Sequence, residues 1–325
     1  MKLLDQVTAV LRRKHYALAT EKTYKHWIKA FLRFHRSADG WRHPAEMGAA
    51  EIEAFLTYLA VERRVAAATQ NQALNALVFL YKHVLEVDPG QFNAVRAKRP
   101  RRLPTVLSRQ EVRVVIAQVN PPLQLIVQVM YAGGLRLGEA CAVRVKDVDL
   151  ERLQIMVRRG KGDKDRVTLL STSLVEPFRQ LIAARRRVHE EDLEAGEGWV
   201  ELPHAFERKA PRAAWLLAWQ YVFAAAGFSR HPVTGQRGRW HVHESTVQRA
   251  ITGAARRAGL TKRVTSHAFR HSFATHLLED GYDIRSIQTL LGHARLETTM
   301  IYTHVVEQAC KGVLRVRSPL DDAKT

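Results

Sequence analysis

The sequence has little cysteine: two residues in 325, Cys141 and Cys310. Two thiols cannot build a disulfide framework or a cysteine-based zinc site, and they suit a reducing compartment. No run of about 18 apolar residues occurs, so no membrane span is expected. The opening MKLLDQVTAVLRRKHYALATEKTY carries charges through its apolar positions and lacks a signal-peptide core. No GxxxxGK[ST] motif is present, which argues against a P-loop nucleotide site. No repeat or low-complexity segment stands out. Acidic residues are also scarce: 32 Asp and Glu face 51 Lys and Arg, a formal net charge of +19. That excess points to a polyanion partner, most simply nucleic acid, rather than to solubility alone. The basic groups are spread along the chain, which suits a protein that wraps its partner.

A length of 325 residues suggests two domains, each able to bury a core. Residues 1–93 read as a bundle of about four helices. In TEKTYKHWIKAFLRFHR, Tyr24, Trp27, Ile28, Phe31 and Phe34 recur at helical steps, with Thr20 as the expected N-cap. Lys22, Lys25, Lys29, Arg33 and Arg36 are expected on the outer face, facing phosphates or simply solvated. Residues 94–104, AVRAKRPRRLP, place Arg96, Lys98, Arg99, Arg101 and Arg102 within seven positions with no acid. This reads as an extended basic linker that lies along DNA, or as a solvated hinge.

A second domain is expected over 105–318, mainly α with a small antiparallel sheet, followed by a tail at 319–325. Ser108 and Glu111 form a capping-box pattern. The run PPLQLIVQVMYAGGLRLGEACAV predicts a buried helix broken at Gly133-Gly134, and QIMVRRGKGDKDRVTLL predicts a hairpin from Gln154–Arg158 and Arg166–Leu170. Helices are predicted at Ser173–Val188, Glu244–Ala258, His267–Leu278, Asp283–Leu291 and Thr298–Cys310.

Chemistry concentrates in this domain. His267 and Arg270 share a face at the start of a helix capped by Thr265 or Ser266, where an anion is favoured. Arginine offers a planar fork for phosphate oxygens, and histidine offers donors or a proton shuttle near neutral pH. Arg136 follows the glycine break with Glu139 three residues on, placed to brace it. Lys161 sits at the hairpin tip with Lys164 as a rival, His293 follows a helix end in LLGH, and Tyr302 comes nine residues later. His271 and His276 read as structural or surface residues.

The motifs YAGGLRLGEA, GKGDKDR, SHAFRHSFATHLL, LLGH and TTMIYTHV, in this order, resemble those of the tyrosine recombinases, the phage-integrase-like family. The resemblance runs from about residue 5 to about 318. It implies a DNA breaking and rejoining enzyme in which the N-terminal bundle and the catalytic domain form a C-shaped clamp. Tyr302 would be the nucleophile of a covalent 3′-phosphotyrosyl intermediate, Arg136 and Arg270 the phosphate clamp, and Lys161 the acid for the leaving hydroxyl. His293 and His267 would donate hydrogen bonds or assist the tyrosine proton. No metal, cofactor or ATP is expected, because a reversible phosphotyrosine conserves bond energy. The family also implies a homotetramer on two DNA sites, with Val305–Leu314 packing on a neighbouring protomer, in the bacterial cytoplasm near the nucleoid.

The stretch from Arg136 to His267 is long for that family. The extra residues, 189–243, hold four of the six tryptophans and resemble the added segment of integron integrases, which act on gene-cassette sites folded as single-strand hairpins. Trp219, Pro232, Trp240 and His241 are the expected stackers for unpaired bases. The alternative is that Trp215, Trp219 and Phe223, at four-residue steps, form the core stripe of one helix. A zinc site at His241 and His243 lacks partner ligands. Competing roles are phage, transposon or Xer-like recombination on duplex DNA, a topoisomerase-like enzyme, and a non-catalytic DNA-binding protein.

Overall fold

The computed structural model describes residues 2–36, 40–88, 90, 104–158, 165–203, 206–231 and 234–309, the side chains of 304–309 excepted. The chain divides into two units, Met1–Arg102 and Leu103–Thr325.

In the first unit, Val7 and Leu11 lie one helical turn apart and bury the inner face of α1 (Leu3–Arg13). The next helix, α2 (Leu18–Phe34), buries Trp27, Ile28 and Phe31, much as the periodicity requires. Two details differ. The helix starts before Thr20, with Ala17 at the N-cap position, so Thr20 lies inside its first turn. Phe34 is at the open end of the stripe and stays 38% exposed. Ile52, Phe55, Leu56 and Leu59 of α3 (Ala49–Val61) and Ala73, Leu74, Ala76 and Leu77 of α4 (Ala67–Phe79) complete the core. The last helix continues into a wider π turn over Leu80–Leu85 and stops at Glu86, which takes the left-handed conformation.

The second unit opens on α5 (Arg109–Ala117). Its capping box is complete: Glu111 N donates to Ser108 Oγ at 3.1 Å, and Ser108 N donates to Glu111 Oε2 at 2.7 Å. Pro121 and Pro122 start α6 (Pro121–Ala132), whose Leu125, Ile126, Val129 and Met130 are buried. The glycine break follows, then α7 (Leu137–Cys141). Strands β1 (Val148–Asp149), β2 (Gln154–Val157) and β3 (Arg166–Leu169) form an antiparallel sheet in that order, with Val157 opposite Arg166. Thr168 Oγ1 donates to the Gly133 carbonyl at 2.6 Å and ties this sheet to the glycine break. Phe178 of α8 (Val175–Glu194) and Phe223 meet at 5.9 Å in the same core.

The inserted segment carries α9 (Phe206–Lys209) and the two-residue strands β4 (Ser229–Arg230) and β5 (Arg237–Gly238). The single aromatic helix weighed for this segment does not form. Two 3₁₀ turns, Pro211–Trp215 and Leu217–Trp219, replace it. The chain then runs extended, because Gln220 O and Val222 N bond to Val145 N and Val143 O at 3.0 and 2.9 Å. Backbone pairing to another segment outweighs the local helical period here. Trp215 is left 37% exposed and Phe223 is buried.

The closing helices are α10 (Glu244–Arg257), α11 (Ser266–Glu279), α12 (Ile284–Leu291) and α13 (Glu297–Ala309). Thr265 occupies the N-cap position of α11 without a side-chain cap bond. The Gln248 side-chain oxygen accepts from Ser266 N at 3.0 Å instead.

Candidate active site

The site is built on a backbone that only glycine allows. Gly134 has φ +62°, and a Cβ there would lie 2.4 Å from the Phe273 ring. This turn ends α6, begins α7 at Arg136, and presents the Gly134 carbonyl to Arg270 Nη1 at 2.6 Å. Arg270 Nη2 donates to the Leu291 carbonyl at 2.6 Å, so α11 holds its buried guanidinium between two other elements.

Glu139 lies at the centre. Its carboxylate accepts from the Arg136 backbone N–H at 2.8 Å and from Arg136 Nη1 at 2.6 Å. Arg166 grips both its oxygens, at 2.9 and 2.7 Å, and Arg270 Nη1 lies 3.7 Å away. Burial pushes this carboxyl up, but the Arg166 hydrogen bonds, the Arg136 amide and the guanidinium charges overcome it and hold it at about 2. Burial, then Arg136, pushes Arg270 down to about 10, which leaves it charged at neutral pH. Three guanidiniums share one carboxylate, so the site keeps a surplus of positive charge.

Two imidazoles of α11 come next. His267 is lowered by burial, Arg270 and Arg136. His271, one turn on, has its ring 6.1 Å from that of His267 and is pushed down to about 4 by burial, His267 and Arg270. His271 Nδ1 lies 3.0 Å from the Tyr302 hydroxyl. A neutral ring with its hydrogen on Nε2 would accept the phenolic hydrogen at that distance. Tyr302, on α13, is 2% exposed and packs with Phe273, Ala274, Ile287 and Leu291. Burial raises its phenol, against the lowering effect of Arg270 and Arg136. His293 follows Gly292, the left-handed cap of α12, and its ring lies parallel to that of Tyr302 at 6.3 Å. His293 Nδ1 pairs with Thr299 Oγ1 at 2.9 Å.

Arg136, Glu139, His267, Arg270, His293 and Tyr302 thus converge. Lys161 and its rival Lys164 lie outside the described residues, in the connection between β2 and β3. Sequence reasoning passed over two members of this group. His271 sits four residues after His267 and so on the same helical face, a signal that was available. Arg166 closes the GKGDKDR motif, but nothing in its spacing pointed to Glu139. His276, in contrast, is buried against the Tyr131 hydroxyl at 2.8 Å, as expected of a structural histidine. An arrangement of surplus guanidinium charge, neutral imidazoles and a phenol suits nucleophilic attack on a phosphodiester, with the arginines on the non-bridging oxygens.

The nucleic-acid candidates elsewhere divide. Lys22 is exposed, whereas Lys25 Nζ is engaged by Thr8 Oγ1 and Glu21 at 3.0 and 3.4 Å. Arg96, Lys98, Arg99, Arg101, Arg102 and Pro232 lie outside the described residues. Trp240 stacks on His231 at 5.5 Å and 20°, and the edge of His241 meets Tyr221 at 5.1 Å. Trp219 has Phe206 at 5.1 Å and the Lys146 ammonium 3.1 Å from its ring centre. Trp219 also borders a pocket of about 460 Å³ that reaches Gly138 and Glu139. Among the described residues, no group of three His, Cys, Asp or Glu is placed to hold a metal ion, and no helix is long and apolar enough to cross a membrane.

Comparison with known proteins identifies the family. The model of the phage integrase family matches residues 105–309, and that of the phage integrase N-terminal SAM-like domain matches residues 3–91. An integrase/recombinase of Escherichia coli and one of Pseudomonas aeruginosa are each 45% identical to this chain over 322 residues, 99% of this chain and 94% of theirs. The fold is that of the XerH site-specific recombinase bound to a palindromic difH substrate (TM-score 0.61, 19% identity, 92% of this chain and 81% of that one). It is also that of the Tn1549 transposon integrase in complex with circular intermediate DNA (TM-score 0.62, 14% identity, 95% of this chain and 100% of that one). The chain belongs to the phage integrase family and is a tyrosine recombinase, an enzyme that breaks and rejoins DNA.

Proposed function

We propose that this recombinase is of the integron-integrase type, inserting and excising gene cassettes at sites that fold as hairpins from one DNA strand. In this reading Tyr302 attacks the phosphodiester. Its oxygen bonds to phosphorus, its proton passes to a neighbouring base, and the 5′-oxygen leaves with a proton from Lys161. The 3′-phosphotyrosyl link conserves the bond energy for rejoining. Arg136 and Arg270 bind the non-bridging oxygens, and His267 and His293 donate hydrogen bonds. Both units bind one DNA site, and four protomers exchange strands between two sites in the cytoplasm.

The pocket beside Glu139 carries the integron part of the reading. Trp219 and Tyr221 from the inserted segment line it, together with Arg144, Lys146 and Arg158. Aromatic faces with cations beside them suit an unpaired base, at about 1–3 kcal/mol per stacked base. Lys146 lies over the Trp219 ring, and an entering base would displace it. The location matters as well, since the same pocket touches the residue that braces Arg136.

The test uses nicked suicide substrates, one a folded single-strand hairpin with unpaired bases and the other the matching duplex. The expected result is a covalent protein–DNA adduct, favoured on the hairpin and absent with Tyr302→Phe. No adduct on either substrate overturns the cleavage reading. Equal reaction on both overturns the hairpin preference and favours an Xer-like or transposon-type role on duplex DNA.

A further inference from the structure

Arg166 closes the GKGDKDR motif but was given no part in the site, and it joins three of the elements that carry the motifs. It opens β3, directly after the connection that contains Lys161. Its side chain is 8% exposed. Nη1 and Nη2 grip the two oxygens of Glu139 at 2.9 and 2.7 Å, while Nε donates to the Leu290 carbonyl at 2.9 Å. The neighbouring Leu291 carbonyl receives Arg270. The end of α12 therefore anchors two guanidiniums through consecutive residues, just before His293. Gly292 permits this approach: a Cβ there would lie 2.7 Å from Arg166 Cδ.

The division of Glu139 is the telling feature. Arg166 holds both carboxylate oxygens in a two-point fork, whereas Arg136 reaches Glu139 through Nη1 and its backbone N–H. A carboxylate released from Arg166 would turn its charge onto Arg136 and Arg270, the groups meant for phosphate. A bidentate pair fixes both distance and plane. Lysine supplies the charge without the plane.

We infer that Arg166 is a positioning residue for DNA cleavage: by holding Glu139 in a two-point grip, it keeps that carboxylate from neutralising the Arg136–Arg270 phosphate clamp. The inference rests on the cleavage reading above.

Arg166→Gln, Arg166→Lys and the double variant Arg166→Gln/Glu139→Gln test it. Adduct formation on the nicked substrate, equilibrium DNA binding and thermal unfolding are measured for each. Misplacement of a clamp by about 1 Å slows chemistry roughly 100-fold, so both single variants should form adduct about 30- to 100-fold more slowly. DNA affinity should stay within about threefold, because Arg166 is buried and is assigned no phosphate contact in the proposed cleavage. The double variant removes the misdirected charge and leaves no unpaired carboxylate if Arg166→Gln folds poorly. It should regain at least about fivefold over Arg166→Gln, a coupling that a merely structural role would not produce. Single variants that cleave at the wild-type rate overturn the inference, as do variants that lose binding in step with cleavage. A double variant no faster than Arg166→Gln overturns it as well. A wild-type chain that forms no adduct fails the cleavage reading itself, and this inference with it.

Discussion

Glu139→Gln removes the carboxylate that the three arginines share while nearly preserving its shape, and its cost can be worked from the structure. The carboxyl is held at about 2 against an ordinary 4.5. One unit of pKa is about 1.4 kcal/mol, so the depression corresponds to about 3 kcal/mol of folding stability. The folded-state value lies below the unfolded one. The contribution is therefore complete above about pH 5, falls by about 1 kcal/mol by pH 4, and is less than half of its full size by pH 3. Glutamine also leaves Arg166 and Arg270 buried without their counter-charge, which brings the loss at pH 7 to about 3–5 kcal/mol. Urea unfolding of the wild type and the variant at successive pH values measures both quantities. The stability gap should be large at pH 7 and should narrow steadily below pH 5. A gap that does not change with pH, or that is smaller than about 1 kcal/mol at pH 7, refutes a charge held by these arginines.

Two further outcomes follow from the same geometry. The Tyr302 phenol should titrate above 10 in DNA-free protein, because burial disfavours the phenolate; ultraviolet difference spectra of wild type against Tyr302→Phe read this directly, and a value at or below 10 contradicts it. Gly134→Ala meets both a left-handed backbone and the Phe273 ring at 2.4 Å, so unfolding should show a loss of about 1–3 kcal/mol or more, with adduct formation lowered further because Arg136 and the Gly134 carbonyl move together.

The parts of the site legible in the sequence are those whose spacing is local. His267 and Arg270 announce a shared face by lying three apart, and Glu139 announces its hold on Arg136 in the same way; the structure shows both. His271 obeyed the same rule and was passed over, because a histidine four residues on reads equally well as helix filler until Tyr302 is placed against it. Arg166 ends the GKGDKDR motif, but its partners were beyond reach for a different reason. Its partners Glu139 and Leu290 lie 27 and 124 residues away, and no period links them. The inserted segment failed through competition rather than distance. Trp215, Trp219 and Phe223 do recur at four-residue steps, but Gln220 and Val222 bond to Val143 and Val145, and that pairing sets their conformation. In the first unit the apolar stripe of α2 agrees with the structure over three of its five members, with Tyr24 packed at the margin.

Tyr302 shows why the core and the chemistry are not alternatives here. A ring locked among Phe273, Ile287 and Leu291 has few orientations, so its hydroxyl is aimed by packing before any substrate arrives. The same burial that aims it keeps the phenol protonated, and His271 Nδ1 pairs with the hydroxyl in place of water. The neighbouring guanidiniums pull in the other direction, because Arg136 and Arg270 both favour the phenolate. In DNA-free protein burial prevails. In the proposed cleavage, a phosphate bound by those arginines would cancel part of their pull, so they would not activate Tyr302 by themselves. The proposed attack needs a proton acceptor at the hydroxyl, and His271 Nδ1 lies within hydrogen-bonding distance of it at 3.0 Å.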